Sequence, residues 1–323
     1  MIIDDIRCKA AAQQKTIVLP EADDERVLKA ANYLSVHDIC KVCLLGEDEA
    51  IRSKCDSLGL KFKNIQLIDP KKSDWSSSFS EILYKKRKHK GMTKEQAEEG
   101  ITDRLYFGAA MVASGHADGA VAGSIATTGD VLRAALHIIG LKEHSDVVSS
   151  TFLMSMPDGR TFTYGDCAVV PYPTAMQLAT IAIDSANTHQ KLTGEEPSVA
   201  LLSFSTKGSA SHERVELVTK ALRAVEKREA NLSIDGELQF DTALVPEIGR
   251  RKAPSSSVAG NANVFIFPNL DAGNIGYKIT ERLAGASATG PIIQGLDKPM
   301  MDLSRGCKWE DIVNTAAVCS LMA

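Results

Sequence analysis

The residues whose types and spacing could do chemistry lie near the C-terminus, in the run Ser304-Arg305-Gly306. This run is predicted to open the last helix. Exposed backbone N–H groups, the positive end of a helix dipole and a forked guanidinium can together hold an anion. Asp311 stands where it would follow Ser304 by about two helical turns, and its carboxylate could accept a proton. The alternative is that Ser304 caps the helix and Asp311 only favours its dipole.

A second candidate anion site follows a short predicted strand at 120–122. This loop contributes three hydroxyl groups, a glycine and, one turn into the next helix, an arginine: Ser124, Thr127, Thr128, Gly129 and Arg133. Ligands of open α/β sheets bind outside the carboxyl ends of strands, so the loop could cradle a phosphate or a carboxylate. A hydroxyl-capped helix with an exposed arginine is the alternative. Two further loops, 203–209 and 269–274, have a similar composition, but neither has the Walker A spacing of a P-loop kinase.

The composition excludes several classes of protein. The chain has 323 residues, 44% of them hydrophobic, and a formal net charge of -4 without a long charged block, so nothing suggests a nucleic-acid partner. Its seven cysteines and seven histidines lack the spacings of a disulfide framework or a metal site. The N-terminus lacks the apolar core of a signal peptide, and no stretch is long enough for a membrane span. We therefore expect a soluble, cytoplasmic protein without a metal.

The order of the predicted elements indicates an α/β protein. Strands are predicted at 16–19, 41–45, 64–68, 120–122, 146–156, 160–164, 199–204, 263–267 and 290–293. Helices are predicted to begin near residue 26 and to cover 77–88, 93–114, 212–230 and 272–285. Such alternation is typical of mostly parallel sheets with helices on both faces. We predict two three-layer α/β domains, 1–144 with 299–323 and 145–298, and a site in the cleft between them.

Seven sequence strings, in order over nearly the whole chain, resemble the phosphate acetyl/butyryltransferase family in its short form. They are Leu19-Pro-Glu-Ala, Arg87-Lys-His-Lys-Gly-Met-Thr93, Thr127-Thr-Gly-Asp-Val-Leu-Arg133, Asp166-Cys-Ala-Val, Leu201-Leu-Ser-Phe-Ser-Thr-Lys-Gly-Ser209, Phe267-Pro-Asn-Leu-Asp-Ala-Gly-Asn-Ile-Gly-Tyr-Lys278, and Pro291-Ile-Ile-Gln-Gly-Leu-Asp-Lys-Pro with Asp302-Leu-Ser-Arg-Gly-Cys307. The last two are the most specific. Two residues depart from the family pattern: Ala134 replaces an expected proline and Tyr172 an expected asparagine.

This resemblance implies reversible transfer of an acetyl group between coenzyme A and inorganic phosphate, with acetyl phosphate as the other acetyl carrier. It also implies two α/β domains of the isocitrate dehydrogenase-like fold, with the active site in the cleft, and a homodimer. Coenzyme A and acetyl-CoA are then substrates, and no cofactor is bound permanently.

The resemblance also places five residues at active-site positions, and the chemistry of the reaction suggests a hypothesis for the role of each. Asp311 would take the proton of the coenzyme A thiol, for which its pKa would have to be raised by burial. The thiolate would then attack the acetyl carbonyl directly in a ternary complex. Ser304 would donate to the developing oxyanion or to the leaving phosphate. Arg87 and Arg133 would hold phosphate, and Arg305 would hold the substrate phosphate or coenzyme A.

Three other functions remain open from the sequence. A phosphate butyryltransferase would perform the same chemistry on a longer acyl chain. A non-catalytic acetyl-CoA-sensing domain would keep the binding site without turnover. A metal-dependent dehydrogenase of the same fold would need a cluster of carboxylate ligands, which the sequence does not show.

Overall fold

The computed structural model describes residues 2–143 and 145–323. The strands are β1 (Thr16–Leu19), β2 (Lys41–Leu45), β3 (Gln66–Ile68), β4 (Gly119–Ala122), β5 (Ser149–Ser155), β6 (Thr161–Gly165), β7 (Ser198–Leu202), β8 (Ser233–Leu238), β9 (Val264–Ile266), β10 (Ser287–Gln294) and β11 (Met300–Asp302). The helices are α1 (Ile2–Gln13), α2 (Glu25–Val36), α3 (Asp48–Ser57), α4 (Ser76–Arg87), α5 (Lys94–Gly100), α6 (Arg104–Ser114), α7 (Thr128–Ile138), α8 (Ala175–Thr193), α9 (Glu213–Arg228), α10 (Phe240–Leu244), α11 (Pro246–Lys252), α12 (Leu270–Ala284) and α13 (Trp309–Met322). Strands alternate with helices, and the prediction of an α/β fold with mostly parallel sheets is confirmed.

The chain divides into two compact units. The first unit contains Ile3–Glu143 and Leu296–Ala323. The second contains Ile2 and residues 145–295. The sheet of the first unit has the strand order β11-β4-β1-β2-β3, and every neighbouring pair is parallel. Its outer strand β11 therefore comes from the last part of the chain, although it pairs with β4.

Helices cover both faces of this first sheet. On β1, Ile17 and Val18 point to opposite faces, because successive side chains of a strand alternate. A Cβ at Gly119 of β4 would lie 2.4 Å from Sγ of Cys319 in α13, and it would also contact Ile17. A Cβ at Gly108 of α6 would contact Val18 instead. Helices α13 and α6 thus pack on opposite faces, and glycine at 119 permits the close approach of α13.

The sheet of the second unit has the order β10-β5-β6-β9-β7-β8. The β10–β5 and β5–β6 pairs are antiparallel, whereas β6, β9, β7 and β8 run parallel. This unit contains two separate apolar cores. One is rich in aromatic side chains, including Phe152, Tyr164 and Phe265, and the other is aliphatic, with Ile181 of α8 among its members.

The observed elements differ from the predicted ones in several places, and strand β8 was not predicted at all. The predicted helix 93–114 is two helices, because α5 ends at Gly100 and Asp103 caps α6 by accepting hydrogen bonds from the N–H groups of Leu105 and Tyr106. Residues 300–302 form strand β11, which was not among the predicted strands. Within residues 2–143 and 145–323, no helix combines the length and the apolar character needed to cross a membrane.

Candidate active site

Three loops of the first unit leave the same edge of its sheet. Strands β1, β4 and β11 are neighbours and run parallel, so their carboxyl ends lie side by side. We name the segments that follow them the β1 loop (residues 20–24), the β4 loop (123–127) and the β11 loop (303–308). Every residue that the sequence predicted for the site belongs to the first unit.

Glu21 of the β1 loop organises the β4 loop. Its side chain is 8% exposed, and its carboxylate accepts four backbone N–H groups. One carboxylate oxygen accepts the N–H groups of Gly123 and Ser124, each at 2.8 Å, and the Ser124 hydroxyl at 2.9 Å. The other accepts the N–H groups of Ile125 at 3.0 Å and Ala126 at 2.7 Å. Four backbone N–H groups of the loop that the sequence predicted to cradle a phosphate are therefore bonded to a carboxylate of the protein itself.

Arg26 fixes the β11 loop through its backbone. This residue lies in the first turn of α2, and its guanidinium donates to the carbonyls of Arg305 and Cys307, both at 2.8 Å. A third carbonyl, that of Ser124, accepts at 2.8 Å. The opposite side of the fork is bonded to Asp24, with a shortest distance of 2.6 Å. One arginine thus joins all three loops.

The Asp24–Arg26 pair is held in its charged form. Burial acts to raise the pKa of Asp24, but the hydrogen bonds from Arg26 outweigh it, and the pKa lies below its usual value. The hydrogen bond that Arg26 donates to Asp24 is likewise the main reason why the pKa of Arg26 is raised. A cation in the first turn of a helix is disfavoured by the helix dipole, so its contacts with the carboxylate and the carbonyls offset that cost.

Asp302 ends β11 directly beneath the β4 loop. It is 2% exposed, and one of its oxygens accepts the Thr128 hydroxyl at 2.6 Å. A Cβ at Gly123 would lie 2.4 Å from the other oxygen and 2.7 Å from the Leu303 nitrogen. Gly123 also has a φ of 105°, a backbone conformation that residues with a side chain rarely adopt. Both the packing and the backbone geometry therefore require glycine here.

The β11 loop presents Ser304 and Arg305 as exposed residues. The Cys307 N–H donates to the Ser304 carbonyl at 2.9 Å, and the Gly306 N–H donates to the Ser304 hydroxyl oxygen at 3.2 Å. These bonds form a tight turn ahead of the last helix. The prediction that Ser304-Arg305-Gly306 opens this helix is therefore wrong, since α13 begins at Trp309.

Asp311 lies in the first turn of α13 and is exposed. Its carboxylate accepts the Lys308 N–H at 2.8 Å and so caps the helix. An acidic residue in the first turn also favours the helix dipole, which is the alternative that the sequence offered for Asp311. A base with a raised pKa would need a buried carboxylate, whereas the carboxylate of Asp311 is exposed. The role of Asp311 as a base stays a prediction.

The charges of Arg87 and Arg133 both affect the pKa of His137. Arg87 ends α4 and is half-buried, whereas Arg133 lies in α7 and is exposed. His137 bonds through Nδ1 to the Tyr106 hydroxyl at 2.9 Å. Burial lowers the pKa of His137, and the charges of both arginines lower it further. The two cations predicted to hold phosphate therefore lie around one point of the surface formed by α4, α6 and α7.

The remaining predicted residues lie at the start of α7. Thr127 is its N-cap and accepts the Asp130 N–H at 3.2 Å, so the capping alternative is observed for this residue. Thr128 and Gly129 follow in the first turn and are exposed. Asp130 forms an ion pair with Arg133 at 2.6 Å. Its pKa is lowered, first by the hydrogen bond from Thr127 and then by Arg133.

Three residues that organise the loops were not predicted for the site: Glu21, Arg26 and Asp302. Glu21 and Asp302 carried a usable signal, because each is an acidic residue at the carboxyl end of a strand. Arg26 carried a weaker one, since a cation at a helix N-terminus is unusual. Apart from Asp24, which lies two residues before Arg26, their partners could not be found from local patterns, because the bonded residues are 98 to 281 positions apart.

The polar side chains and backbone N–H groups of two loops in the second unit are also bonded within the protein. Glu237 is 3% exposed and accepts the Ser205 hydroxyl at 2.9 Å and the Gly208 N–H at 2.7 Å. The loop 203–209 thus wraps a carboxylate of the chain. In loop 269–274, Asn269 caps α12 by accepting the N–H of Ala272 at 3.0 Å. Among the residues that the structure describes, no group of three or more His, Cys, Asp or Glu side chains could hold a metal ion.

The fold and these loops define an α/β protein with exposed hydroxyl and guanidinium groups at the carboxyl ends of parallel strands. The family described as "Phosphate acetyl/butaryl transferase" matches residues 1–320. A phosphate acetyltransferase of Thermoanaerobacterium thermosaccharolyticum is 47% identical over 327 aligned residues, which cover 100% of this chain and 99% of that protein. The chain therefore belongs to the phosphate acetyl/butyryl transferase family.

Solved structures agree with this membership. A phosphotransacetylase from Streptococcus pyogenes is 40% identical, with a TM-score of 0.95, and the match covers 99% of this chain and 97% of that one. The EutD phosphotransacetylase from Staphylococcus aureus is 41% identical, with a TM-score of 0.93 and the same coverage of both chains. The prediction that this chain is an enzyme of the transferase class is confirmed.

Proposed function

We propose that this enzyme transfers an acetyl group reversibly between coenzyme A and inorganic phosphate, with acetyl phosphate as the other acetyl carrier. The observation that carries the proposal is the β11 loop. Arg26 binds its backbone carbonyls, so the side chains of Ser304 and Arg305 are left exposed on a fixed turn. The names of the family and of its similar relatives supply the reaction to which such a site belongs.

The reaction needs a thiolate. A thiol with a pKa of about 8.5 is only a few per cent ionised near neutral pH, so attack benefits from a base. Asp311 takes the thiol proton, the sulfur forms a bond with the acetyl carbonyl carbon, and the bond from that carbon to the phosphate oxygen breaks. The phosphate leaves with the electron pair. Because Asp311 is exposed in the free protein, this role requires the bound substrates to exclude water from its carboxylate.

The remaining polar groups bind and stabilise charge. The Ser304 hydroxyl donates to the oxyanion or to the leaving phosphate. Arg305 binds a phosphate of either substrate through its fork, and Arg87 and Arg133 hold phosphate at the surface around His137. Both charges lower the pKa of His137, so both arginines lie near this residue. Thr128, at the start of α7, adds a hydroxyl next to the β4 loop.

Direct transfer is favoured over an acetylated cysteine. Cys307 is 7% exposed, and burial raises the pKa of its thiol. Cys167 in the second unit is fully buried, and burial raises its pKa well above the usual value. A buried, protonated thiol is a poor nucleophile, so coenzyme A itself attacks the acetyl group.

The wider setting follows the family resemblance. We propose that the enzyme is a cytoplasmic homodimer, that coenzyme A and acetyl-CoA act as substrates, and that no cofactor stays bound between turnovers. A nucleic-acid or membrane partner forms no part of this proposal.

The test is acetyl-CoA formation from acetyl phosphate and coenzyme A, with a chelator present and butyryl phosphate assayed in parallel. Rapid turnover of acetyl phosphate, unaffected by the chelator and much slower with butyryl phosphate, is the expected result. A preference for butyryl phosphate would make the enzyme a phosphate butyryltransferase. Binding of coenzyme A without turnover of either acyl phosphate would refute the proposal and favour an acetyl-CoA-sensing domain.

A further inference from the structure

One buried carboxylate of the site has no part in the mechanism above. Asp302 stands two residues before Ser304 and is 2% exposed. Its Oδ2 accepts the Thr128 hydroxyl, whereas its Oδ1 accepts a hydrogen bond from no residue within 2–143 or 145–323. A buried carboxylate oxygen without a donor is costly when it is ionised, and protonation removes that cost.

Asp302 also lies between two segments that are proposed to bind the substrate, the start of α7 with the β4 loop and the β11 loop. Its Oδ1 faces Gly123 of the β4 loop so closely that a Cβ there would lie 2.4 Å away. Through Oδ2 it holds Thr128 at the start of α7, and through the chain it leads into Ser304. Its charge is therefore placed directly behind the surface where a substrate phosphate is proposed to bind.

We propose that Asp302 is a positioning residue that aligns Thr128 with the β11 loop and that takes up a proton from solvent when a phosphate-bearing substrate binds. The inference rests on the proposed function, since it assigns the phosphate to these loops. An incoming phosphate adds negative charge beside Asp302, and like charges favour the neutral form of the carboxyl. Proton uptake removes the repulsion, and the oxygen that lacks a donor is the one free to carry the proton.

The surroundings of Asp302 support this behaviour. Burial raises its pKa from 3.8 to about 6, against the lowering effects of the Thr128 hydroxyl and of the nearby Leu303 N–H, whose contact with the carboxylate lacks hydrogen-bond geometry. From the β1 loop, the charge of Glu21 raises the pKa further. The free enzyme therefore holds Asp302 mostly ionised near neutral pH, but close enough to its pKa for a bound anion to protonate it.

Proton uptake can be measured independently of turnover. Inorganic phosphate is titrated into the full chain by calorimetry near neutral pH, in two buffers with different heats of ionisation. The wild type should take up more protons per phosphate than Asp302→Asn, and the ionisation of phosphate itself is common to both. At pH 8, Asp302→Asn should bind phosphate about tenfold more tightly, which corresponds to one pKa unit of repulsion.

Two further variants make the result specific. Asp297→Asn removes an exposed carboxylate five residues before Asp302. This variant should leave the number of protons taken up per phosphate at the wild-type value. Thr128→Val keeps Asp302 but removes the hydroxyl that lowers its pKa, so the pH of maximal uptake should rise. This variant decides the matter if Asp302→Asn fails to fold.

Equal proton counts for the wild type and Asp302→Asn would overturn the inference, as would an unshifted maximum in Thr128→Val. The proposed function is tested separately. Turnover of acetyl phosphate with equal proton counts refutes only the role of Asp302, whereas the expected proton counts without any turnover refute only the acetyl transfer.

Discussion

Replacing Glu21 with glutamine tests whether one buried carboxylate builds the β4 loop. The substitution preserves the size of the side chain but turns one acceptor oxygen into an NH2 group. In the wild type, one oxygen accepts from Gly123 and twice from Ser124, and the other accepts from Ile125 and Ala126. Whichever oxygen is replaced, two backbone N–H groups then face a donor instead of an acceptor.

The expected cost follows from these contacts. A hydrogen bond to a charged group contributes about 1.5–3 kcal/mol, and a buried donor left without an acceptor loses about as much. Two such losses sum to about 3–6 kcal/mol, and relaxation of the loop brings the expected value to about 3 kcal/mol. At about 1.4 kcal/mol per factor of ten, the β4 loop should open roughly 100-fold more often.

Amide hydrogen exchange measures how often this loop opens. It is preferable to global unfolding, because a chain of two units need not unfold in a single step. The amides of residues 123–126 should exchange roughly 100-fold faster in Glu21→Gln than in the wild type. Glu25→Gln is the matched control, since Glu25 is an exposed acid four residues away at the start of α2.

Unchanged exchange of these amides in Glu21→Gln would refute the reasoning, because it would mean that the four N–H groups find other acceptors. The same acceleration in Glu25→Gln would also refute it, since the effect would then belong to the acidity of the segment and not to the hydrogen bonds of Glu21.

Four substitutions test the assigned roles by steady-state kinetics. Asp311→Asn should cut kcat with little change in KM, and wild-type turnover would contradict the base assignment. Ser304→Ala should lower kcat about 100-fold, because a donor to developing charge is removed; an unchanged kcat would exclude that role. Arg133→Gln should mainly raise the KM for acetyl phosphate, whereas a pure loss of kcat would argue against phosphate binding. Arg26→Lys keeps the charge but loses the fork, and kcat/KM should fall about tenfold or more; full activity would show that the β11 loop is held by other contacts.

The elements that could be predicted are those determined by the residues of the segment itself. Strands β1 and β2 are short apolar runs between polar turns, and they were predicted at their observed bounds. The position of the candidate site was predictable too, because polar loops at the carboxyl ends of parallel strands gather at one edge. Strand β11 was not, since its three residues become a strand by pairing with β4, and pairing partners are not visible in a local pattern.

The start of the last helix was missed for a related reason. Ser304 and Asp311 are both good residues for a helix N-terminus, and the sequence alone favoured the earlier one. In the structure, the Ser304 carbonyl accepts the Cys307 N–H in a turn, and Asp311 accepts the Lys308 N–H. The choice between the two starts depends on Arg26, which holds the carbonyls of this turn from a distant part of the chain.

The domain boundaries and the site in a cleft, which the sequence and the resemblance implied, stay predictions. So do the substrate-binding roles of Ser124, Thr127, Thr128 and Gly129. For Ser124 the structure adds a condition, because its hydroxyl donates to Glu21 and is left only with its oxygen lone pairs for a ligand.

The return of the chain to the first unit at Leu296 has a consequence for synthesis on the ribosome. When residues up to 143 have emerged, β4 is still an edge strand, and the apolar surface that α13 will cover is exposed. An unpaired apolar edge is prone to wrong pairing during the time needed to translate the whole second unit. The first unit is completed only when β11 and α13 have left the exit tunnel, and the same segment carries Ser304, Arg305 and Asp311. An incomplete chain therefore lacks both a finished sheet and these three candidate catalytic residues.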